Sequence, residues 1–233
     1  MRRLLLVSSS KCHPHGYLDH CADEAADLFE GVSEIVFVPY ARPGGISHDE
    51  YTVIAAERFE KMGIAVRGLH TFESAKQAIE SAAGVFIGGG NTFVLLNQLY
   101  ADGIVDLMHD RLLEGLPYIG TSAGSNVAGL SIGTSNDMPI VCPQSFKAFA
   151  AVPFNINPHY PRLPPDPTHM GETREDRINE FHIFNSQPVV AIREDSMLRI
   201  WGNSMTHLGG SDGYLFEHGK TPQVVNAGAD LSF

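Results

Sequence analysis

The sequence predicts an α/β fold: a doubly wound, mostly parallel sheet with helices on both faces and a short-stranded C-terminal part. Three observations carry this. Apolar runs of strand length alternate with amphipathic stretches of helix length through the first half. From Pro188 onward the runs are short and separated by turn residues. No repeat, low-complexity tract or linker interrupts the 233 residues, so residues 1–233 are read as one domain.

The elements follow in chain order. "MRRLLLVSSS" imitates the start of a secretory signal, but its apolar run, Leu4–Val7, is too short for the core of one. Arg2–Ser9 therefore reads as a first buried strand. Tyr17–Glu30 places Leu18, Cys21, Ala25, Leu28 and Phe29 on one stripe, the pattern of an amphipathic helix. "EIVFVPY" is the second strand, and His48–Met62 a helix with Tyr51, Ile54, Ala55 and Phe59 facing inward. "IAVRGLH", "GVFIGG" and "LPYIGTS" continue the strands. Phe72–Ala83 and Thr92–Leu113 are the helices between them, the latter broken near Gly103. Alternation of this kind means parallel strands joined by crossover helices. Ser131–Pro167 reads as long loops with a short strand or two, and Thr173–Asn185 as a helix. "PVVAIRED", "MLRIWG", "THLGG", "GYLFEHG" and "PQVVNAG" are the late short strands.

Composition narrows the function. Hydrophobic residues are 43% and charged residues 18%, as in a globular protein and unlike a disordered one. A chain this long should bury roughly 70–75% of its unfolded surface and needs no staples. The formal net charge of −11 would repel a phosphate backbone, so nucleic acid is not an expected partner. No stretch approaches membrane-spanning length, so neither is a membrane. Cys12, Cys21 and Cys142 are odd in number and widely spaced, which argues against a disulfide framework or a zinc site. Reduced thiols in a cytosolic protein are the simplest reading. No metal or cofactor is expected, and the size leaves room for a homodimer.

In a doubly wound sheet the chemistry gathers in loops at the carboxyl ends of strands. After "LPYI" comes Gly120-Thr121-Ser122-Ala123-Gly124, which fits the G-x-S-x-G nucleophile elbow. A strand before it and a helix after it would expose the Ser122 hydroxyl on a tight turn. The Ala123 N–H would then be one oxyanion donor. The same string also suits a plain turn with an incidental serine. After "VFI" comes Gly88-Gly89-Gly90-Asn91, which matches neither the dinucleotide fingerprint nor the P-loop. Its backbone could supply a second oxyanion donor from Gly89 or Gly90. Asn91 is a substrate contact or a cap for the next helix.

A serine needs a base. Among eleven histidines, His159 stands out because it follows an apolar run in a proline-stiffened loop, "FNINPHYPRLPP". A carboxylate should hold its other nitrogen. Asp137 in "GTSNDMPIV" is the first candidate, and Glu194 at the end of "VVAIRE" its competitor. The order Ser122, Asp137, His159 is that of α/β-hydrolases. The spacing is too short for that fold, since only 111 residues follow Ser122 (233 − 122).

At these residues the chain resembles the peptidase E family of α-aspartyl dipeptidases. "GGGNTF", "GTSAGSN", "TSNDMPIV", "INPHY" and "GETREDRI" carry the resemblance in order, with "LLLVSSS" and the "DEYT" of Asp49–Thr52. It implies a class I glutamine amidotransferase-like fold with serine in place of cysteine. It also implies cytoplasmic hydrolysis of dipeptides with an N-terminal aspartate. Ser122 would be nucleophile, His159 base and Asp137 acid, with Glu194 as alternative acid. Thr121 departs from members that carry tryptophan there. The resemblance gives Arg174 the substrate carboxylate, which arginine can grip with two parallel hydrogen bonds. Glu172 would hold the free amino group or enrich a helix start in negative charge. A cyanophycinase-like peptidase for other aspartyl polymers, or an inactive binder of acidic peptides, is the alternative.

Overall fold

In the first strand, Leu4 and Leu6 belong to one apolar cluster, and Leu5 and Val7 to another on the opposite face. Successive strand side chains point to opposite faces, so a run of four apolar residues requires cover on both sides. The computed structural model, which describes residues 1–161, 168 and 170–231, provides that cover. Strand β1 (Arg3–Val7) lies inside an eight-stranded sheet. On one side of it come β5 (Tyr118–Thr121), β4 (Val85–Ile87), β2 (Glu34–Val38) and β3 (Ala65–Gly68), all parallel. Helices α1 (Ala22–Leu28) and α2 (His48–Glu60) cover one face with Leu28, Phe29, Tyr51, Ala55 and Phe59. Helices α3 (Ala75–Ser81), α4 (Thr92–Ala101) and α5 (Val105–Glu114) cover the other with Ile79, Leu95, Leu99, Met108 and Leu112.

The expected breaks are present. Gly103, at φ 65°, turns the chain between α4 and α5. The first predicted helix is shorter than its stripe. Leu18 is left-handed at φ 57°, and a 3₁₀ turn at Asp19–Cys21 precedes α1. Helix α7 (Arg174–Phe184) is capped by Thr173, whose side chain accepts from the Asp176 N–H in a capping box.

The C-terminal strands are more integrated than the sequence indicated. Strands β8 (Ser196–Trp201) and β9 (Ser204–Gly209) form a hairpin that adds antiparallel to β1, with β12 (Asp230–Leu231) at the edge. A second, four-stranded sheet orders β11 (Gln223–Val225), β10 (Gly213–Phe216), β7 (Val189–Ala191) and β6 (Asn155–Asn157). Its Ile156, Val190 and Val225 join the same core cluster as Leu4 and Leu198. Strand β6 is the short strand expected within Ser131–Pro167; residues 162–167 of that stretch lie outside the described residues. Among the described residues, no helix is long and apolar enough to cross a membrane.

Phe86 of β4 is fully buried between Phe37 and Phe59, with ring centroids 4.9 and 5.4 Å away. Phe86→Ala should cost about 3–5 kcal/mol of stability, read as a lower urea midpoint at unchanged slope.

Candidate active site

The nucleophile corner follows from three contacts. Ser122 leaves β5 at φ 51°, ψ −108° and opens the short helix α6 (Ala123–Asn126). Such a backbone persists only where its surroundings over-determine it. The Ser122 N–H donates to the Val7 carbonyl at 3.0 Å. The Ser125 hydroxyl bridges the Val7 and Gly120 carbonyls at 2.7 and 2.8 Å. The flanking glycines let the chain fold this tightly. A Cβ on Gly120 would meet the Gly124 carbonyl oxygen at 2.4 Å, and one on Gly124 would meet that of Ile87 at 2.2 Å.

The base arrives from the second sheet. Strands β6 and β7 run parallel with Asn157 opposite Ala191, so His159 and Glu194 emerge side by side at their carboxyl ends. The Ser8 hydroxyl fixes the approach. It accepts from the His159 N–H at 2.8 Å and donates to the Ile192 carbonyl at 3.1 Å. His159 itself is left-handed at φ 59°.

The imidazole then joins nucleophile and acid. Nε2 lies 2.7 Å from Ser122 Oγ, and Nδ1 lies 2.9 Å from both carboxylate oxygens of Glu194. An ionised Glu194 can only accept, so Nδ1 carries the proton and Nε2 is left to accept the serine proton. The hydrogen bond from His159 holds the Glu194 carboxyl below its ordinary range, against the opposing effect of burial.

Asp137, the first candidate for the acid, is occupied elsewhere. Its Oδ2 accepts from the Thr92 N–H at 2.8 Å, the Thr92 hydroxyl at 2.5 Å and the Ser135 hydroxyl at 3.2 Å. It caps the start of α4 and tethers its own loop there, while Glu194 takes the imidazole. The expectation is corrected accordingly. Of the two readings of Asn91, the cap is present: it is the N-cap of α4. Its side-chain oxygen accepts from the Val94 N–H at 3.1 Å and its amide donates to the Met138 carbonyl at 2.8 Å. The glycine loop does stand beside the nucleophile, since a Cβ on Gly89 would lie 3.1 Å from that of Ser122.

Arg174 lines a cavity of about 200 Å³ with Thr134, Asp137, Asn157 and Arg177. Its guanidinium donates to Asn157 Oδ1 at 3.0 Å and the Pro158 carbonyl at 3.4 Å. Among the described residues no carboxylate pairs with it, and burial lowers its pKa from a very high ordinary value. A charged, half-buried guanidinium with only neutral partners is ready to accept an anion. Glu172 is outside this cavity wall and faces Arg177 at 3.7 Å, both side chains 60% exposed. Ser8 and Arg177 were missed in the sequence. For Ser8 the available signal was a hydroxyl directly after an apolar run.

Known proteins are similar to this chain over most of its length. A profile described as peptidase family S51 matches residues 4–208. A Drosophila melanogaster protein named "Probable alpha-aspartyl dipeptidase" is 44% identical, covering 100% of this chain and 97% of its own. A Streptomyces coelicolor protein named peptidase E is 44% identical, covering 98% of this chain and 93% of its own. Among solved structures, a peptidase from an acI-B1 actinobacterium aligns with a TM-score of 0.70 at 18% identity. That alignment covers 100% of this chain and 97% of the other.

The depressed Glu194 pKa sets a pH dependence. Its folded value lies below the ordinary 4.5, so its stabilising contribution is present above that value and is lost as pH falls through the folded pKa. Because the side chain is 49% exposed, solvent screening limits the contribution. Glu194→Gln should therefore lower stability by less than about 1 kcal/mol at neutral pH. The difference from wild type should vanish in acid, as measured by urea titrations across pH 3–7.

Proposed function

The chain belongs to peptidase family S51, and we propose that it is a cytoplasmic serine exopeptidase that hydrolyses dipeptides with an N-terminal aspartate. The observation that carries this reading is the continuous hydrogen-bonded line from Ser122 through His159 to Glu194. The relatives' names supply the substrate class.

In this reading His159 Nε2 takes the Ser122 proton as the hydroxyl oxygen attacks the aspartyl carbonyl carbon. Negative charge moves to the carbonyl oxygen, where the Ala123 N–H and the Gly89–Gly90 loop stabilise it. The imidazolium is held by Glu194 and then protonates the leaving amine, which departs as the second residue. An aspartyl ester remains on Ser122. Water, deprotonated by the same imidazole, attacks it and releases aspartate. Arg174 holds the substrate's side-chain carboxylate. An uncharged side chain would leave a half-buried guanidinium without its anion, which is how a polar site discriminates strongly.

Purified protein should cleave Asp-Leu, and leave Leu-Asp and Asn-Leu essentially uncut. Ser122→Ala should be inert. Equal cleavage of Leu-Asp, or activity in the alanine variant, would defeat the reading. Preference for β-linked over α-linked aspartyl substrates would move it to the cyanophycinase-like alternative.

The two carboxylates should separate by variant. Glu194→Gln should lower kcat about 100-fold or more with little change in KM. Asp137→Asn should instead cost about 1–2 kcal/mol of stability through the weakened helix cap. A kcat loss confined to Asp137→Asn, with stability intact, would return the acid's role to Asp137.

A further inference from the structure

The "DEYT" stretch at Asp49–Thr52 has no part in the chemistry described so far. Its tyrosine lies on α2, packed edge-on against Phe37 with ring centroids 5.0 Å apart, and is 1% exposed. Arg42 covers the ring from outside, its guanidinium 4.7 Å from the centroid. The Tyr51 hydroxyl donates to the Gly89 carbonyl oxygen at 3.2 Å. That approach requires Gly88, where a Cβ would lie 2.4 Å from the phenol oxygen.

A trans peptide points its carbonyl and the following N–H in opposite directions. Tyr51 belongs to the cluster under α1 and α2, whereas Ala123 and the α4 side chains Leu95 and Leu96 belong to the cluster on the other face. With the Gly89 carbonyl drawn toward Tyr51, the Gly90 N–H is turned away from α2. The neighbouring N–H groups are satisfied, Gly88 by the Val38 carbonyl at 3.3 Å and Asn91 by the Ala41 carbonyl at 2.6 Å. The Gly90 N–H donates to no backbone carbonyl among the described residues. This donor adjoins Gly89, where a Cβ would lie 3.1 Å from that of Ser122.

We propose that Tyr51 is a positioning residue of the oxyanion hole: its hydroxyl pins the Gly89 carbonyl so that the Gly90 N–H faces the oxygen on which charge develops. This rests on the serine-peptidase reading. The phenol suits the task. Burial raises its pKa, so it remains a neutral donor through the working range. Tyr51 touches no substrate. It fixes in advance a dipole that a three-glycine loop would otherwise have to orient during each turnover.

Wild-type activity on Asp-Leu is measured first; its absence overturns the serine-peptidase reading and this inference with it. Tyr51→Phe then removes only the hydroxyl. The expected result is a fall in kcat of about 10- to 100-fold with KM within about twofold. The affinity of a tetrahedral aspartyl boronate should fall by the same factor, and that of the product aspartate should not change. An active wild type with kcat and boronate affinity unaltered in the variant overturns the role of Tyr51 alone. So does equal loss of boronate and aspartate binding, which marks general damage. Should the variant fail to fold, a crystal structure of the wild-type boronate complex decides. A Gly90 nitrogen within about 3.2 Å of a boronate oxygen supports the assignment, and one beyond about 4 Å overturns it.

Discussion

Two consecutive polar groups at the carboxyl end of β1 hold the catalytic parts in register. The Val7 carbonyl accepts from the Ser122 N–H and the Ser125 hydroxyl. The Ser8 hydroxyl accepts from the His159 N–H and donates to the Ile192 carbonyl. Nucleophile and base thus hang from adjacent residues of one strand. Val7 and Ser8 are fully buried, so a slip would leave polar groups unpaired away from water, at about 1–3 kcal/mol each. Neighbours on both sides, β5 and β8, prevent β1 itself from moving. The unusual backbone of Ser122 at φ 51° and His159 at φ 59° is tolerable because these contacts leave no alternative.

The carboxylates divide along the same lines. Asp137 and Glu194 both lie near the site, but each meets a different set of donors. Asp137 is gathered into the α4 N-terminus, where Thr92 supplies both N–H and hydroxyl, and the Thr92 hydroxyl in turn accepts from Asn126 at 2.9 Å. That network ties the loop before β6 to the helix behind the nucleophile. Glu194 is held below its ordinary pKa chiefly by the hydrogen bond from the His159 imidazole. Overall acidity also yields to local arrangement. The chain carries a net −11, yet the cavity lined by Thr134, Asp137 and Asn157 also presents Arg174 and Arg177. A small anion responds to the groups within reach of it, because more distant charge is screened by salt and water.

The residues show what could be read from sequence. Of the parallel strands, β1, β2, β4 and β5 were legible because each is a short apolar run whose two faces both need cover, a demand local to the run. The α4–α5 break at Gly103 was legible for the same local reason. The elbow was legible because Gly120 and Gly124 answer to steric limits within a few residues. His159 and Arg174 were reached through motif and resemblance. By contrast, the acid was first placed at Asp137 with Glu194 as its competitor, and Ser8 and Tyr51 had no role. Each of these depends on a partner far along the chain.

By itself, then, the sequence determined the α/β architecture, the serine corner and a short list of acids and bases. Their patterns express covalent geometry and local burial. Tertiary structure alone decided that β8 would lie beside β1, that Glu194 rather than Asp137 would meet the imidazole, and that Tyr51 would reach Gly89. The contacts responsible join residues 151 apart at Ser8–His159, 35 apart at His159–Glu194 and 38 apart at Tyr51–Gly89. No local periodicity encodes such pairings. They exist only once packing has removed water and brought each buried donor to an acceptor within reach.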